Sequence, residues 1–346
     1  IDPRHQAYPI TYPESFGKEL VKSQGMFHTL GMPEMVHPLS HGRYDRDAFL
    51  SEVEVIENER VHMLESELNR FDSGLLAFVI DHTDRLQHVF GAIQDKEHPA
   101  YSEKSARKYA DVVPSMYRRM DKIVGNVLNT LDDRTMLMVV SDHGFTSFRY
   151  SVHMNRWLIR NGYMTLNKDN PGEGKSLFRN VDWARTKAYA LGFASIYINL
   201  KDREAKGVVS PGQERDKVCK QLAGKLRAFK DPRNGNPVVH SVVPSKGGDP
   251  ARNNKDIPDL LVGFKPNYRM SWQTALGGAP EGLIADNDSK WMADHIIAPE
   301  LIPGAIFCNR KINTAKPQSI DIAPTVLDCF GIDCSGYMDG HSLLGS

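Results

Sequence analysis

Three short runs of acidic residues and histidines stand out along the chain: Asp81-His82-Thr83-Asp84-Arg85-Leu86-Gln87-His88, Ser141-Asp142-His143-Gly144, and Asp294-His295. In the first, Asp84 and His88 are four apart, a spacing that on a helical turn aims a carboxylate and an imidazole at one point. A capping aspartate beside a surface histidine is the alternative there. In the second, adjacent Asp142 and His143 both reach one metal if the chain turns sharply, and Gly144 permits that turn. An Asp-initiated turn with a bystander histidine fits the same residues. The third run says little by itself. Together the three supply carboxylate oxygen and imidazole nitrogen, the donors that zinc and manganese take.

The elements around these runs place them. From Tyr44 to Phe71 apolar residues recur at helical steps, Phe49, Val53, Ile56, Val61, Leu64 and Leu68, and lead into the apolar run Leu75–Ile80. That run reads as a strand buried on both faces, ending at the first cluster. A helix capped by Ser102 follows, with a stripe of Tyr109, Val113, Met116, Met120, Ile123 and Val127, then an apolar strand Met136–Val140 ending at the second cluster. Alternation of helix and buried strand predicts an α/β fold with a largely parallel sheet, whose chemistry lies beyond the carboxyl ends of the strands.

The organisation then reads as three parts. Residues 1–43 form a connector; 44–156 and 256–346 form an α/β core; 157–255, with shorter alternating stretches such as Ala194–Leu200 and one helix near Glu214–Phe229, form an inserted cap or lid. Core strands return at Leu260–Phe264 and Gly304–Phe307, and a last helix runs from Ile322 to Phe330 with Pro324 in its first turn.

Bulk properties exclude some classes. Lysine plus arginine equals aspartate plus glutamate at 43 each, which gives no electrostatic support for coating nucleic acid or an anionic membrane. No apolar run reaches the length of a membrane helix. Four cysteines make no disulfide framework; Cys329 and Cys334 bond only if local geometry permits. The opening Ile1-Asp2-Pro3-Arg4 carries no targeting signal, which favours a cytoplasmic setting and suggests that an earlier stretch is missing.

The order of motifs is specific. Asp84-x-x-x-His88 after an apolar run, then Val139-Val140-Ser141-Asp142-His143-Gly144-Phe145, then Asp294-His295 before Pro299–Gly304, then Asp321–Leu327 and Met338–Leu343, resembles the type I phosphodiesterase/nucleotide pyrophosphatase family of the alkaline phosphatase superfamily. The resemblance covers nearly all of the chain from about Tyr44. It implies an alkaline phosphatase-like three-layer sandwich with an inserted cap. It also implies two divalent cations, zinc before manganese, with Asp84, His88 and His295 holding one and Asp142 and His143 the other. A phosphate-ester substrate cleaved through a phospho-enzyme intermediate follows as an expectation.

One departure bears on activity. Members carry, near the amino terminus, a strand ending in a metal-binding Asp and a Thr or Ser nucleophile at a helix start; nothing before Asp84 matches. Thr29, Ser40 and Thr83 are hydroxyls outside that context, so no nucleophile is assigned, and a partner segment supplying one is expected. Other readings stay open: a non-catalytic or split metal-binding chain, a phosphomonoesterase, a phosphonate hydrolase or a phosphoglycerate mutase. A sulfatase is disfavoured, because no Cys-x-Pro-x-Arg or Ser-x-Pro-x-Arg stretch is present. Trp183, Tyr189, Tyr197 and Trp272 read as core or a substrate wall, Arg269 as a salt bridge or phosphate contact, and His82 as a support of the ligand cluster or merely its neighbour.

Overall fold

Asp45 starts a 25-residue helix by accepting the Ala48 N–H on its carboxylate at 2.8 Å, the contact that satisfies an otherwise orphaned helical donor. The computed structural model to which this helix belongs describes residues 1–40, 42–167, 174–245, 256–333 and 336–344. In chain order its helices are α1 (Ser15–Gln24), α2 (Val36–Ser40), α3 (Arg46–Arg70), α4 (His82–Phe90), α5 (Glu103–Lys108), α6 (Val112–Thr130), α7 (Met154–Arg160), α8 (Gln213–Arg227), α9 (Trp272–Ala275) and α10 (Ile322–Cys329). The strands are β1 (Met138–Val140), β2 (Thr146–Val152), β3 (Ala188–Leu191), β4 (Ser195–Ile198), β5 (Val239–Pro244), β6 (Leu260–Phe264), β7 (Asn267–Met270), β8 (Ile284–Asp286), β9 (Ala293–Asp294) and β10 (Ile306–Cys308). The chain divides into two compact units: Ile1–Phe90 with Lys108–Ser141 and Ala305–Ser346, and Gly91–Arg107 with Asp142–Gly304.

In the first unit α3 packs on α1 and α4, and α4 on α6. The α3 stripe Phe49, Val53, Ile56 and Leu64 is buried, as its helical spacing predicts. Glu57 on the same helix takes the Arg119 guanidinium of α6 through both oxygens, at 2.8 and 2.7 Å. The single helix expected after Ser102 is two, broken between Lys108 and Val112. Pro114 explains the break: in a continuous helix its ring would clash with the carbonyl of residue 110, whereas in the first turn of α6 its missing N–H costs nothing. β1 and β10 form an antiparallel pair with Val139 opposite Phe307.

The second unit carries the antiparallel sheet β3-β4-β6-β5, with α8 against β4 and β5 and α7 against β3. Leu158, Ile196, Ile198, Leu222, Leu226, Val262 and Phe264 form its core. Buried Asp259 ties this layer together, accepting the Ile198 N–H at 2.7 Å and the guanidinium groups of Arg203 at 2.8 Å and Arg215 at 2.5 Å. The other sheet centres on β2, which pairs with β7 in parallel and with β8 and β9 antiparallel.

The architecture is therefore mixed α/β with several small sheets, and the largely parallel central sheet expected from the helix–strand alternation is absent among the described residues. Leu75–Ile80 is the reason. It forms no strand, and Leu75 and Val79 stand 64% and 79% exposed instead of buried on both faces. A short apolar run names no partner strand; that information is non-local. Val140, at the end of β1, is likewise exposed. Leu260–Phe264, expected in the core, shares its sheet with β3, β4 and β5 from the 157–255 stretch. Cys219, Cys308 and Cys329 are free thiols, and Cys334 lies outside the described residues.

Candidate functional site

In the first unit Asp81 opens α4, its carbonyl accepting the N–H groups of Asp84 and Arg85 at 3.1 Å each. One turn separates Asp84 from His88, and the helix brings Asp84 Oδ1 to 3.4 Å from His88 Nε2. His88 is buried. The Arg85 guanidinium binds Asp84, reaches Asp81 at 3.6 Å, and places Nε 3.3 Å from Glu34 Oε2. Burial raises the Glu34 carboxyl above its ordinary value, against the pull of Arg85. His82, on the face of α4 turned inward, is fully buried with both ring nitrogens unpartnered, and burial lowers its pKa.

In the second unit Asp142 and His143 lie on the turn before β2, with Asp142 Oδ2 3.4 Å from His143 Nε2. The Asp142 side chain is 86% exposed. His143 Nδ1 meets the Gly144 carbonyl at 3.1 Å, which orients the ring. Gly144 does not need the left-handed backbone its position suggested; its φ is not positive. What it provides is close approach, since a Cβ there would stand 3.2 Å from the Pro303 carbonyl oxygen, while its N–H donates to Ile302 at 2.9 Å.

His295 reaches the same place by strand register. β9 pairs with β2 so that Thr146 lies opposite Asp294, and just beyond the pair Phe145 and His295 meet edge to face. The His143 and His295 rings stack with centroids 3.7 Å apart and planes 10° from parallel, and Phe145 packs against both at 5.6 and 5.4 Å. Of the five expected ligands, the structure thus pairs Asp84 with His88, Asp142 with His143, and His143 with His295.

Asp294 acts as a strut. Its Oδ1 accepts the N–H of His295 at 2.8 Å and of Ile296 at 3.0 Å, and its Oδ2 accepts the Trp291 indole N–H at 2.9 Å and the Arg269 guanidinium. Arg269 is buried beneath the rings of Phe148, Phe193 and Trp272, 4.3–4.5 Å from each centroid. Its role is the salt bridge. Trp183 and Tyr189 pack edge to face, and Tyr189 stacks on Tyr197, an aromatic cluster beside the β3–β4 sheet.

Sequence reasoning missed two features. Asp95, within a turn, accepts Arg149 at 2.6 and 2.7 Å and Ser147 at 2.6 Å, clamping the face of β2 on which residues 147 and 149 both lie. Glu34 gave no signal in its Pro- and Gly-containing segment. The two carboxy-terminal motifs form a clasp: Asp321 accepts the His341 N–H at 3.0 Å, and Thr325 accepts the Leu343 N–H at 2.9 Å. Gly340 is required there, since a Cβ would sit 2.1 Å from the Ile320 carbonyl oxygen.

A family model described as type I phosphodiesterase / nucleotide pyrophosphatase matches residues 21–277. A search of curated proteins returned no match.

Proposed function

Because the chain belongs to the type I phosphodiesterase / nucleotide pyrophosphatase family, we propose that it is a metal-dependent hydrolase of phosphodiester or related phosphate-ester bonds. In this reading Asp84, His88, Asp142, His143 and His295 are the ligands of two divalent cations, zinc before manganese, on an alkaline phosphatase-like scaffold.

The observation that carries the assignment is a distance. Two ligands of one tetrahedral cation with bonds of about 2.0–2.2 Å stand roughly 3.3–3.5 Å apart. Both carboxylate–imidazole pairs, Asp84–His88 and Asp142–His143, have their nearest donor atoms at 3.4 Å. The donor set, carboxylate oxygen with imidazole nitrogen, fits a borderline-hard dication.

When bound, such cations polarise the phosphoryl oxygens and lower the pKa of an attacking hydroxyl. The chain's own residues hold the ligand groups in place for this. Gly144 fixes the His143 ring through its carbonyl, Asp294 fixes the backbone at His295, and Phe145 packs against both imidazole rings. Thr29, Ser40 and Thr83 are given no part in the chemistry; the Thr29 hydroxyl already donates to the Ile1 carbonyl at 3.0 Å.

The test is zinc retention by the metal-free chain after dialysis against a mild chelator. Asp84→Asn, His88→Ala, Asp142→Asn, His143→Ala and His295→Ala should each lower it. Retention indifferent to all five substitutions would remove the reading.

A further inference from the structure

We infer that Glu34, Asp81 and His82 form a third divalent-cation site, of the zinc class, separate from the five ligands above. One donor atom from each of the three lies within 4.8 Å of the other two. Ligands of one tetrahedral cation stand roughly 3.3–3.5 Å apart, so closing the set takes a movement of up to about 1.5 Å, within reach of side-chain rotation.

What distinguishes this cluster from an ordinary acidic pair is His82. It is 0% exposed, and neither Nδ1 nor Nε2 has a hydrogen-bond partner. A buried imidazole normally gives at least one nitrogen to a partner, because leaving both dry forfeits the hydration they had in the unfolded chain. Glu34 is close to this condition, with the Arg85 ion pair as its contact. Its side chain is fully buried and neither carboxylate oxygen makes a hydrogen bond, although Arg85 Nε stands 3.3 Å away. Both sets of orphaned atoms converge, and a cation bound there would satisfy them at once.

Arg85 does not already do this. Its one positive charge is divided among Glu34, Asp81 and Asp84, so even with Asp84 given to the cation above, two carboxylates share one guanidinium and the cluster keeps a surplus of negative charge. Arg85 Nε is itself left without a hydrogen bond. A dication matches the surplus, and the mixed oxygen and nitrogen set suits zinc, with a fourth position left for water. The local fold supports the geometry: Asp81 and His82 are consecutive at the start of α4, and Glu34 precedes α2 in a bend where the Val36 N–H binds its carbonyl at 2.8 Å.

The experiment uses the full chain, stripped of metal, with zinc affinity read by competition against a chromophoric chelator. The variant combining Asp84→Asn, His88→Ala, Asp142→Asn, His143→Ala and His295→Ala should still bind one equivalent of zinc. Adding Glu34→Gln should weaken that equivalent by on the order of 100-fold. The Gln keeps the size of the buried side chain and removes its charge, and circular dichroism checks the fold. In the otherwise unaltered chain, Glu34→Gln should remove one equivalent and leave the rest. The inference falls if the five-fold variant, folded, binds no zinc, or if Glu34→Gln removes no equivalent from the unaltered chain. Either result leaves the five-ligand assignment standing, because that assignment is read from the other substitutions.

Discussion

His143 and His295 stack ring on ring, their centroids 3.7 Å apart, although one precedes β2 and the other follows β9. The contact comes from the antiparallel register that sets Thr146 opposite Asp294. Residues in direct contact do not contribute independently. His143→Ala and His295→Ala should therefore be non-additive in zinc affinity, the double variant losing less than the product of the two single losses. A double-mutant cycle on zinc binding measures this, and strict additivity would mean that the stack has no bearing on the ligands.

The strut behind His295 should be sensitive to truncation. Arg269 is almost wholly buried and its charge is answered by Asp294, so removing either partner strands the other in a low-dielectric setting. Asp294→Asn or Arg269→Met is expected to cost about 3–5 kcal/mol in unfolding free energy. The pair replaced together by apolar residues should cost less than either single change. Urea unfolding followed by intrinsic fluorescence decides it; a single-substitution cost below about 1 kcal/mol would show that the charges are not desolvated as described.

The Asp95 clamp gives stability a pH dependence. Burial disfavours its ionised form, but the hydrogen bonds from Arg149, Ser147 and the Glu97 N–H outweigh this and hold its pKa below the ordinary value. A carboxyl depressed in the folded state adds stability above its unfolded pKa, about 3.9, and loses it as pH falls through the lower folded value. Asp95→Asn should thus cost about 1–3 kcal/mol at neutral pH. The difference between variant and parent should narrow as pH falls below 4. A gap as wide at pH 3 as at pH 7 would contradict the assignment.

Thiol reactivity reports on the core of the second unit. Burial pushes the Cys219 thiol up to about 11, so at pH 8 about one molecule in a thousand carries the reactive thiolate. Cys329 is exposed. Iodoacetamide should label Cys329 in the native chain and Cys219 only as urea unfolds α8, as read from peptide masses. Native labelling of Cys219 at the rate of Cys329 would mean that α8 is not seated as described.

What the sequence made legible followed local physics. Helical periodicity located α3 to within a few residues, the reading of α8 and α10 came as close, and the four-residue spacing of Asp84 and His88 is the one that sets them on one turn. What stayed hidden was non-local. Nothing in Leu75–Ile80 says that it lacks a ladder partner, and nothing near Asp294 says that its carboxylate is spent on Arg269 while its neighbour His295 faces His143. The Ser102 helix failed for a local reason that was readable: Pro114 belongs in a first turn. Glu34 and His82 became significant through burial, which one-dimensional spacing does not report.

The sharpest expectation concerns turnover. Phosphoryl transfer through a covalent intermediate needs a hydroxyl held where its proton can be lost. Thr83 lies on α4 between Asp81 and Asp84, in the arm of the chain that supplies ligands, and Thr29 is already bonded to the Ile1 carbonyl. No nucleophile is assigned to either. Hydrolysis of bis(4-nitrophenyl) phosphate by this chain should accordingly stay near the buffer background with zinc or manganese added, orders of magnitude below a competent enzyme. Adding a segment that carries a metal-binding Asp and a Thr or Ser at a helix start, in cis or as a co-folded fragment, should restore turnover, and Asp142→Asn or His143→Ala should abolish what is restored. Turnover by the chain alone that survives both substitutions would overturn the exclusion of its own hydroxyls together with the roles given to Asp142 and His143.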